Sequence, residues 1–412
     1  MARFLKIPVG PSTNSTWSSV AANGSNVVAV ASSGQFRVAR STDSGATWTF
    51  IAPGAGMDNK AWSHVAVQGS TYVAVASSGG TNHIMYSANS GASWTLATTV
   101  ITDALFCVAS DGTRFVAVGS GTNSYKSTDG ITWTSVAYPA GGLTYRSIVW
   151  SGTTWVACTD GGAAGTSFIT GNAGDVTTWT NAASSPAGAW IEVVRIGSSM
   201  LGITSSGGTN GAVVISQNGV TYTTNSNLTA GLYQAACSDG TTAVVFNQYA
   251  VPSSRIITTA DGSTFTTRTT PDDGGNLWIG GASVATNNFV IVSRSGPNNR
   301  ALTSTSLTAW TSRNMSYSFT TETNAPILLN IENFITMRPT AQDTIQIQMS
   351  SSNAGVDTAT LTFGADAYGM THEIIMDAIV KASGSPTSPM GYIDVPALPD
   401  GRFIDFNATI IS

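Results

Sequence analysis

Short apolar runs separated by polar turns fill the first three quarters of the chain, and they return in a fixed order. An aromatic or aliphatic residue opens one kind of run at Trp17, Trp62, Leu105, Tyr145, Trp190, Leu232 and Ile279. After a turn, often Gly-Ser or Asp-Gly, a second kind follows, built almost wholly of apolar and small residues. It begins at Val27, Tyr72, Phe115, Trp155, Met200, Ala243 and Phe289, and Val-Ala-Val is its commonest form. These starts lie 45, 43, 40, 45, 43 and 46 residues apart. Short runs rich in Val and aromatics and bounded by turn residues predict strands. Their continuous apolar character predicts strands covered on both faces.

A third signal keeps the same period. Ser41, Asp43, Gly45 and Trp48 recur as Ser87, Asn89, Gly91 and Trp94, and then as Ser127, Asp129, Gly130 and Trp133. Weaker copies are Thr170, Asn172 and Gly174 with a stretched approach to Trp179, then Ser216, Asn218, Gly219 and Tyr222, then Thr259, Asp261, Gly262 and Phe265. The last, Ser304, Ser306 and Trp310, has lost both the acid and the glycine. A short Asp or Asn side chain accepts bonds from amides just ahead of it and closes a turn. The glycine supplies the positive φ of such a turn, and the aromatic packs into the following strand.

Strand, turn, strand, strand, box and strand make a unit of about 43 residues, the size of a four-stranded propeller blade. A blade buries its faces only against neighbours, so seven units predict a seven-bladed ring. The box resembles the Asp-box, or BNR repeat, over residues 15–313. That resemblance implies a turn between the third and fourth strands of each blade, at the outer rim.

Different grammar holds at the two ends. Residues 318–324 read as a polar linker, and residues 327–331, 344–349 and 359–363 predict strands. Residues 370–382 predict a helix, with Thr371 as its cap and Ile375, Ala378, Ile379 and Ala382 on one face. Two further strands are expected at 392–396 and 403–411. The opening Phe4-Leu-Lys-Ile-Pro-Val does not fit the repeat and matches the tail in composition. The expected organisation is therefore an all-β propeller over residues 11–317 inserted into a small α+β base domain, whose first strand is residues 1–10 and whose remainder is 318–412. The FLKIPV opening, the Asp-Ala-Ile-Val-Lys helix and the Val-Pro strand are similar to small virion proteins of marine phages.

Only 9 % of residues are charged, against about 25 % in ordinary soluble domains. With a net charge of −5 and no basic stripe, nucleic acid is not an expected partner. No stretch of about 18 apolar residues is present, so membrane insertion is not expected, and the N-terminus does not read as a signal peptide. Cys107, Cys158 and Cys237 lack metal or disulfide spacing and read as buried thiols.

The Asp-box resemblance brings sialidases into view, which implies an arginine triad, a Tyr nucleophile with a Glu partner and an acid Asp. The arginines do not recur at one blade position, and Glu192 is the sole glutamate before Glu322. Other glycosidases need two facing carboxylates. Box acids serve turns, which leaves Asp58, Asp103, Asp175, Asp272 and Asp273. His64, His83 and His372 show no metal spacing. His64 occupies a repeat position that holds Ser, Cys, Glu or Gln in other units. No catalytic residue, metal or cofactor is expected.

The phage resemblance and the missing export signal imply a bacteriophage virion structural protein made in the host cytoplasm. Its base domain would hold capsid or tail proteins, in oligomeric form, and its propeller would project as decoration or host-binding module. The alternatives are a carbohydrate-binding adhesin or tail receptor-binding protein, with exposed Trp, Tyr and Asn meeting a host-surface glycan, and an Asp-box glycoside hydrolase.

Overall fold

The computed structural model describes residues 15–315 except 35, 140–141, 173–174, 205–212, 226–232, 248–255, 272–276, 295–300 and 314. It also describes the strand residues 4–5, 329–330, 334–341, 344–350, 356–363 and 406–411. The chain divides into two compact units, Ser12–Ser316 and a second formed by Met1–Pro11 together with Tyr317–Ser412.

The larger unit is all β, with no helix among the described residues. Its antiparallel sheets follow chain order: A (residues 16–51), B (62–96), C (105–137), E (233–268) and F (278–313) have four strands each. Sheet D (145–225) has eight, because its strand Trp155–Gly162 also pairs with Gly188–Ile196 through Asp160–Ala189 and Gly162–Gly188. The innermost strands are Thr16–Asn23, Trp62–Gln68, Leu105–Ser110, Tyr145–Trp150, Gly188–Ile196, Tyr233–Ser238 and Trp278–Ala285. Each lies against the next, and the last lies against the first.

The apolar runs explain this arrangement. In Asn26–Ser33, Val27 and Ala29 pack toward sheet F with Val290, Val292 and Ala301, while Val28 and Val30 pack toward sheet B with Trp62, Val65 and Tyr72. Successive residues of a strand point to opposite faces, so a run apolar at every position needs a sheet on each side. Ring closure is made the same way. Sheets A and F each use their own consecutive strands, and they meet face to face without exchanging one.

The innermost strands correct the expected register. The opening position, held by Trp17, Trp62, Leu105, Tyr145 and Trp190, falls on Tyr233 and Trp278 in the last two units, each one residue away from the expected Leu232 and Ile279. A bulge follows the opening residue in all of them, for instance between Trp62 and His64 and between Tyr233 and Ala235. The extra residue of a bulge breaks the period-two pattern, which is why alternation alone misplaces the phase.

In the smaller unit, Phe4–Leu5 pairs with Leu329–Asn330. A four-stranded meander runs Phe334–Ala341, Thr344–Ser350, Val356–Phe363 and Phe406–Ile411. Its first strand was not anticipated because it contains Pro339. That residue sits on an edge strand beside a register irregularity, the setting in which a sheet tolerates proline. The helix expected over 370–382 and the strand over 392–396 lie outside the described residues.

At the A–F seam the two backbones approach closely. A Cβ placed on Gly280 would stand 2.9 Å from Ser19 Cα and 3.2 Å from the Ser18 carbonyl oxygen. Gly280→Ala is therefore expected to lower unfolding free energy by about 1–3 kcal/mol, the range of an overpacked core, as measured by denaturant unfolding. An unchanged midpoint would mean that the seam yields freely.

Candidate functional site

The box turns form a regular network. The first residue of each box accepts, at its hydroxyl oxygen, the amide of the left-handed residue: Ser41 from Gly45 at 2.9 Å, Ser87 from Gly91 at 2.9 Å, Ser127 from Gly130 at 2.8 Å, Ser216 from Gly219 at 2.9 Å and Thr259 from Gly262 at 2.8 Å. The acid or amide closes the turn from the other side. Asp43 Oδ1 accepts the Thr47 amide at 2.8 Å and Asn89 Oδ1 the Ser93 amide at 3.0 Å. In the boxes shorter by one residue, Asp129, Asn218 and Asp261 each accept two successive amides at 2.7–2.9 Å. The indole N–H groups of Trp48, Trp94 and Trp133 donate to the carbonyls of Gly45, Gly91 and Gly130.

Box glycines also touch the preceding sheet. A Cβ on Gly91 would meet Val28 at 2.4 Å, one on Gly130 would meet Val73 at 2.6 Å, and one on Gly45 would meet Val290 of sheet F at 2.9 Å. The degenerate last box keeps the fold of the others with Leu307 at φ 63°, its amide bonded to Ser304 and its carbonyl to Trp310. The fourth copy is looser. Asn172 Oδ1 reaches the amides of Thr177 and Thr178, and Trp179 donates to Ser124 rather than into its own turn. Gly174 lies outside the described residues.

Burial opposes the charge of Asp43, but the Thr47 hydroxyl and amide, the Ser41 hydroxyl and the Ala46 amide outweigh it and hold the carboxyl below its ordinary value. Asp129 behaves alike through the Thr132 and Ile131 amides. At Asp261 the Thr264 and Ser263 amides dominate and lower it further. These bonds favour the charged form of the box acids and tie it to the turns.

A second network crosses the inner strands and gives a bonding role to the repeat position that holds His64. In the first five units the residue just past the bulge faces the backbone amide of the next inner strand with a side-chain acceptor. Val65 donates to Ser19 Oγ at 3.3 Å, Val108 to His64 Nδ1 at 3.5 Å and Val193 to Ser147 Oγ at 3.2 Å. The Ile148 amide faces the Cys107 thiol and the Ala236 amide the Glu192 carboxyl. In the last two units this position holds Ala235 and Gly280, in place of the expected Gln234 and Gly281. The repeat already aligns the first five of these residues, and the bulge-corrected register changes only the last two.

His64, Cys107, Ser147 and Glu192 thus occupy consecutive inner strands, a set of residue types that elsewhere builds nucleophilic sites. Their environment works against that chemistry. Burial first, and the Glu192 charge second, push the Cys107 thiol up to about 12, so it stays protonated at neutral pH, whereas a nucleophilic cysteine acts as thiolate. Burial takes His64 down to about 4. With Nδ1 accepting from Val108, its neutral ring carries the proton on Nε2. Ser147 donates its hydroxyl to Glu192. Burial raises Glu192 to about 7 against the bonds from Ser147, Val193 and Ala236.

The remaining acids are tied up or apart. The Asp103 carboxylate accepts the Tyr125 hydroxyl at 2.6 Å, Asp175 meets Lys126 at 2.8 Å and Arg114 at 3.6 Å, and Asp160 holds Arg146 at 2.6 Å. The Asp58 carbonyl accepts from Arg37 at 2.6 Å. Asp272 and Asp273 lie outside the described residues. No three described His, Cys, Asp or Glu side chains gather as a metal-binding group.

The strand order places the first–second hairpins and the boxes at one end of the sheets, and the second–third and fourth–first connections at the other. That other end carries the longer, more varied loops, such as residues 52–61 and 97–104. Near it Arg146 stacks over the Phe106 ring at 4.6 Å while bonding Asp160. The rim of exposed aromatics anticipated for a glycan binder is absent among the described residues. Ten tryptophans are buried and Trp150 is half-buried, because they open strands or lock boxes. Among the described residues, the large hydrophobic side chains left exposed are Val100 and Val220.

The larger unit is a β-propeller. A family described as the DUF6242 beta propeller domain matches residues 48–145. No curated protein matches the chain by sequence. Among solved structures, YCF48 from Cyanidioschyzon merolae is 14 % identical with a TM-score of 0.53, over 74 % of this chain and 98 % of its own. YCF48 bound to D1 peptide is 14 % identical with a TM-score of 0.56, over 75 % and 96 %. The WD40 propeller domain of Doa1 is 10 % identical with a TM-score of 0.50, over 73 % and 96 %. At these identities the likeness is one of fold.

The belt predicts a pH signature. Glu192, raised from 4.5 to about 7, contributes stability that is complete below about pH 4.5 and is lost as pH rises through 7. His64, lowered from 6.5 to about 4, contributes stability that is complete above about pH 6.5 and is lost as pH falls through 4. Each effect is worth roughly 3 kcal/mol at about 1.4 kcal/mol per pH unit, so they offset one another between pH 4.5 and 6.5. Glu192→Gln should leave a stability that rises with pH across that window, and His64→Ser one that falls. Denaturant unfolding at pH 4.5, 5.5 and 6.5 reads both slopes, and flat profiles in the two variants would contradict the assignment.

Proposed function

We propose that this chain is a bacteriophage virion structural protein, a seven-bladed Asp-box propeller inserted into a small α+β base domain that anchors it in the particle. The observation that carries the reading is the pairing of Phe4–Leu5 with Leu329–Asn330, in a unit that holds both chain ends. The propeller leaves and rejoins the base through two chain passages, as a displayed module does. The blade count is supported by sheets A, B, C, E and F, with the eight strands of sheet D read as two blades. The Asp-box assignment is supported by the shared hydroxyl-to-amide and carboxyl-to-amide bonds of the turns.

The role is non-catalytic. Its support is the protonated Cys107, the uncharged His64 and acids committed to turns or ion pairs. Capsid or tail proteins are the partners of the base. Cryo-electron microscopy of intact particles from the source should resolve a ring-shaped density for this chain. Rings on the head assign it to capsid decoration, and rings at the tail tip assign it to host attachment. Particles lacking the chain would overturn the proposal.

A further inference from the structure

We infer that Asn23 is a site of spontaneous covalent modification, at which the amide of Gly24 converts the asparagine to aspartate and isoaspartate. Two Asn-Gly pairs lie in the described residues, and the structure places them in opposite environments. Asn218-Gly219 is inside a box. There the Gly219 amide is held by Ser216 Oγ at 2.9 Å, and Asn218 Oδ1 is held by the Val220 and Thr221 amides at 2.9 and 2.8 Å. Asn23-Gly24 is at the tip of the first hairpin, where both residues are exposed and no hydrogen bond ties the Gly24 amide. A Cβ on Gly24 would meet nothing within 4 Å, so no other part of the chain packs on this turn at that side. Hairpin tips also open more readily than the core they cap.

The chemistry needs only the chain and water. The Gly24 nitrogen attacks Asn23 Cγ and forms a new C–N bond, the Cγ–Nδ2 bond breaks, and ammonia leaves with the proton lost from the Gly24 amide. The resulting cyclic imide takes up water at either carbonyl. One opening gives aspartate, and the other gives isoaspartate with an extra backbone carbon beside the Asn23–Asn26 pair that closes the hairpin. Either product ends the bridge from Asn23 Nδ2 to the Gly69 carbonyl at 2.7 Å, which joins the hairpin tips of sheets A and B. The new carboxylate has no proton to donate there. Asn218 is exempt because the turn holds both reacting groups.

The test is peptide mapping of the full folded chain during incubation at mildly alkaline pH, with isoaspartate detected by enzymatic methylation. The same incubation in denaturant serves as the comparison. The expected result is conversion of Asn23 several-fold faster than Asn218 in the folded chain, with the two rates drawing together when it is unfolded. Equal rates in the folded chain, faster loss at Asn218, or an intact Asn23 would each overturn the inference. Asn23→Ser should abolish the isoaspartate signal of the first hairpin while leaving that of the denatured Asn218 peptide in place.

Discussion

A sheet whose strands are apolar at every position has two faces to cover, and in this propeller each face is covered by another copy of the same kind of sheet. That requirement accounts for most of the architecture. It sets the small, branched second strands, where Val27 and Ala29 serve one neighbour and Val28 and Val30 the other. It also forces closure, because a row of such sheets would leave an apolar face bare at each end. Sheets A and F meet through the same kind of core as their neighbours, with Trp17, Val20, Val290 and Val292 in one cluster.

Two polar devices act at the edges of this apolar contact, and they point in opposite directions around the ring. Box glycines press backward onto the preceding sheet, as Gly91 does on Val28. Up to Glu192 the residues past the bulges reach forward to the amide of the next inner strand, as Ser19 does to Val65, while Ala235 and Gly280 have no acceptor to offer. Sheets A to D are therefore held forward on their inner strands as well as backward at their box turns. The forward device accepts any side chain with a hydrogen-bond acceptor of suitable reach, which is how Ser, His, Cys and Glu occupy equivalent places. Here these residue types are used for the reach of their acceptors, while burial pushes the Cys107 thiol up and the His64 imidazole down.

Much of this was legible in the amino-acid order. The second strands and the boxes showed themselves because each repeats a short pattern whose physical reason is local: an apolar run, or an acid, a glycine and an aromatic at fixed offsets. The inner strands were harder. Their bulge inserts one residue between Tyr233 and Ala235 and between Trp278 and Gly280, and a reader of alternation alone places both one residue away. The equivalence of His64, Cys107 and Glu192 was legible in the repeat, but the bonds they make to the next inner strand were not, since sequence order does not show which amide a side chain reaches. The meander strand Phe334–Ala341 was hidden by Pro339, which reads as a breaker unless the strand is known to lie at an edge.

Closure without strand exchange has a consequence for how such a chain is put together. A ring fastened by a strand donated from the far end of the sequence cannot form until that end has been synthesised, and its termini are fixed at the fastening. Here sheets A, B, C, E and F are each complete when their own four strands are, and the first and last sheets are joined by side chains and close backbone contact. The junction at which the polypeptide enters is then topologically equivalent to the other junctions between separate sheets. Evolution is free to cut the circle at any gap between sheets and to splice the opened ring into a loop of an unrelated host fold, with neither hydrophobic core needing to be rebuilt.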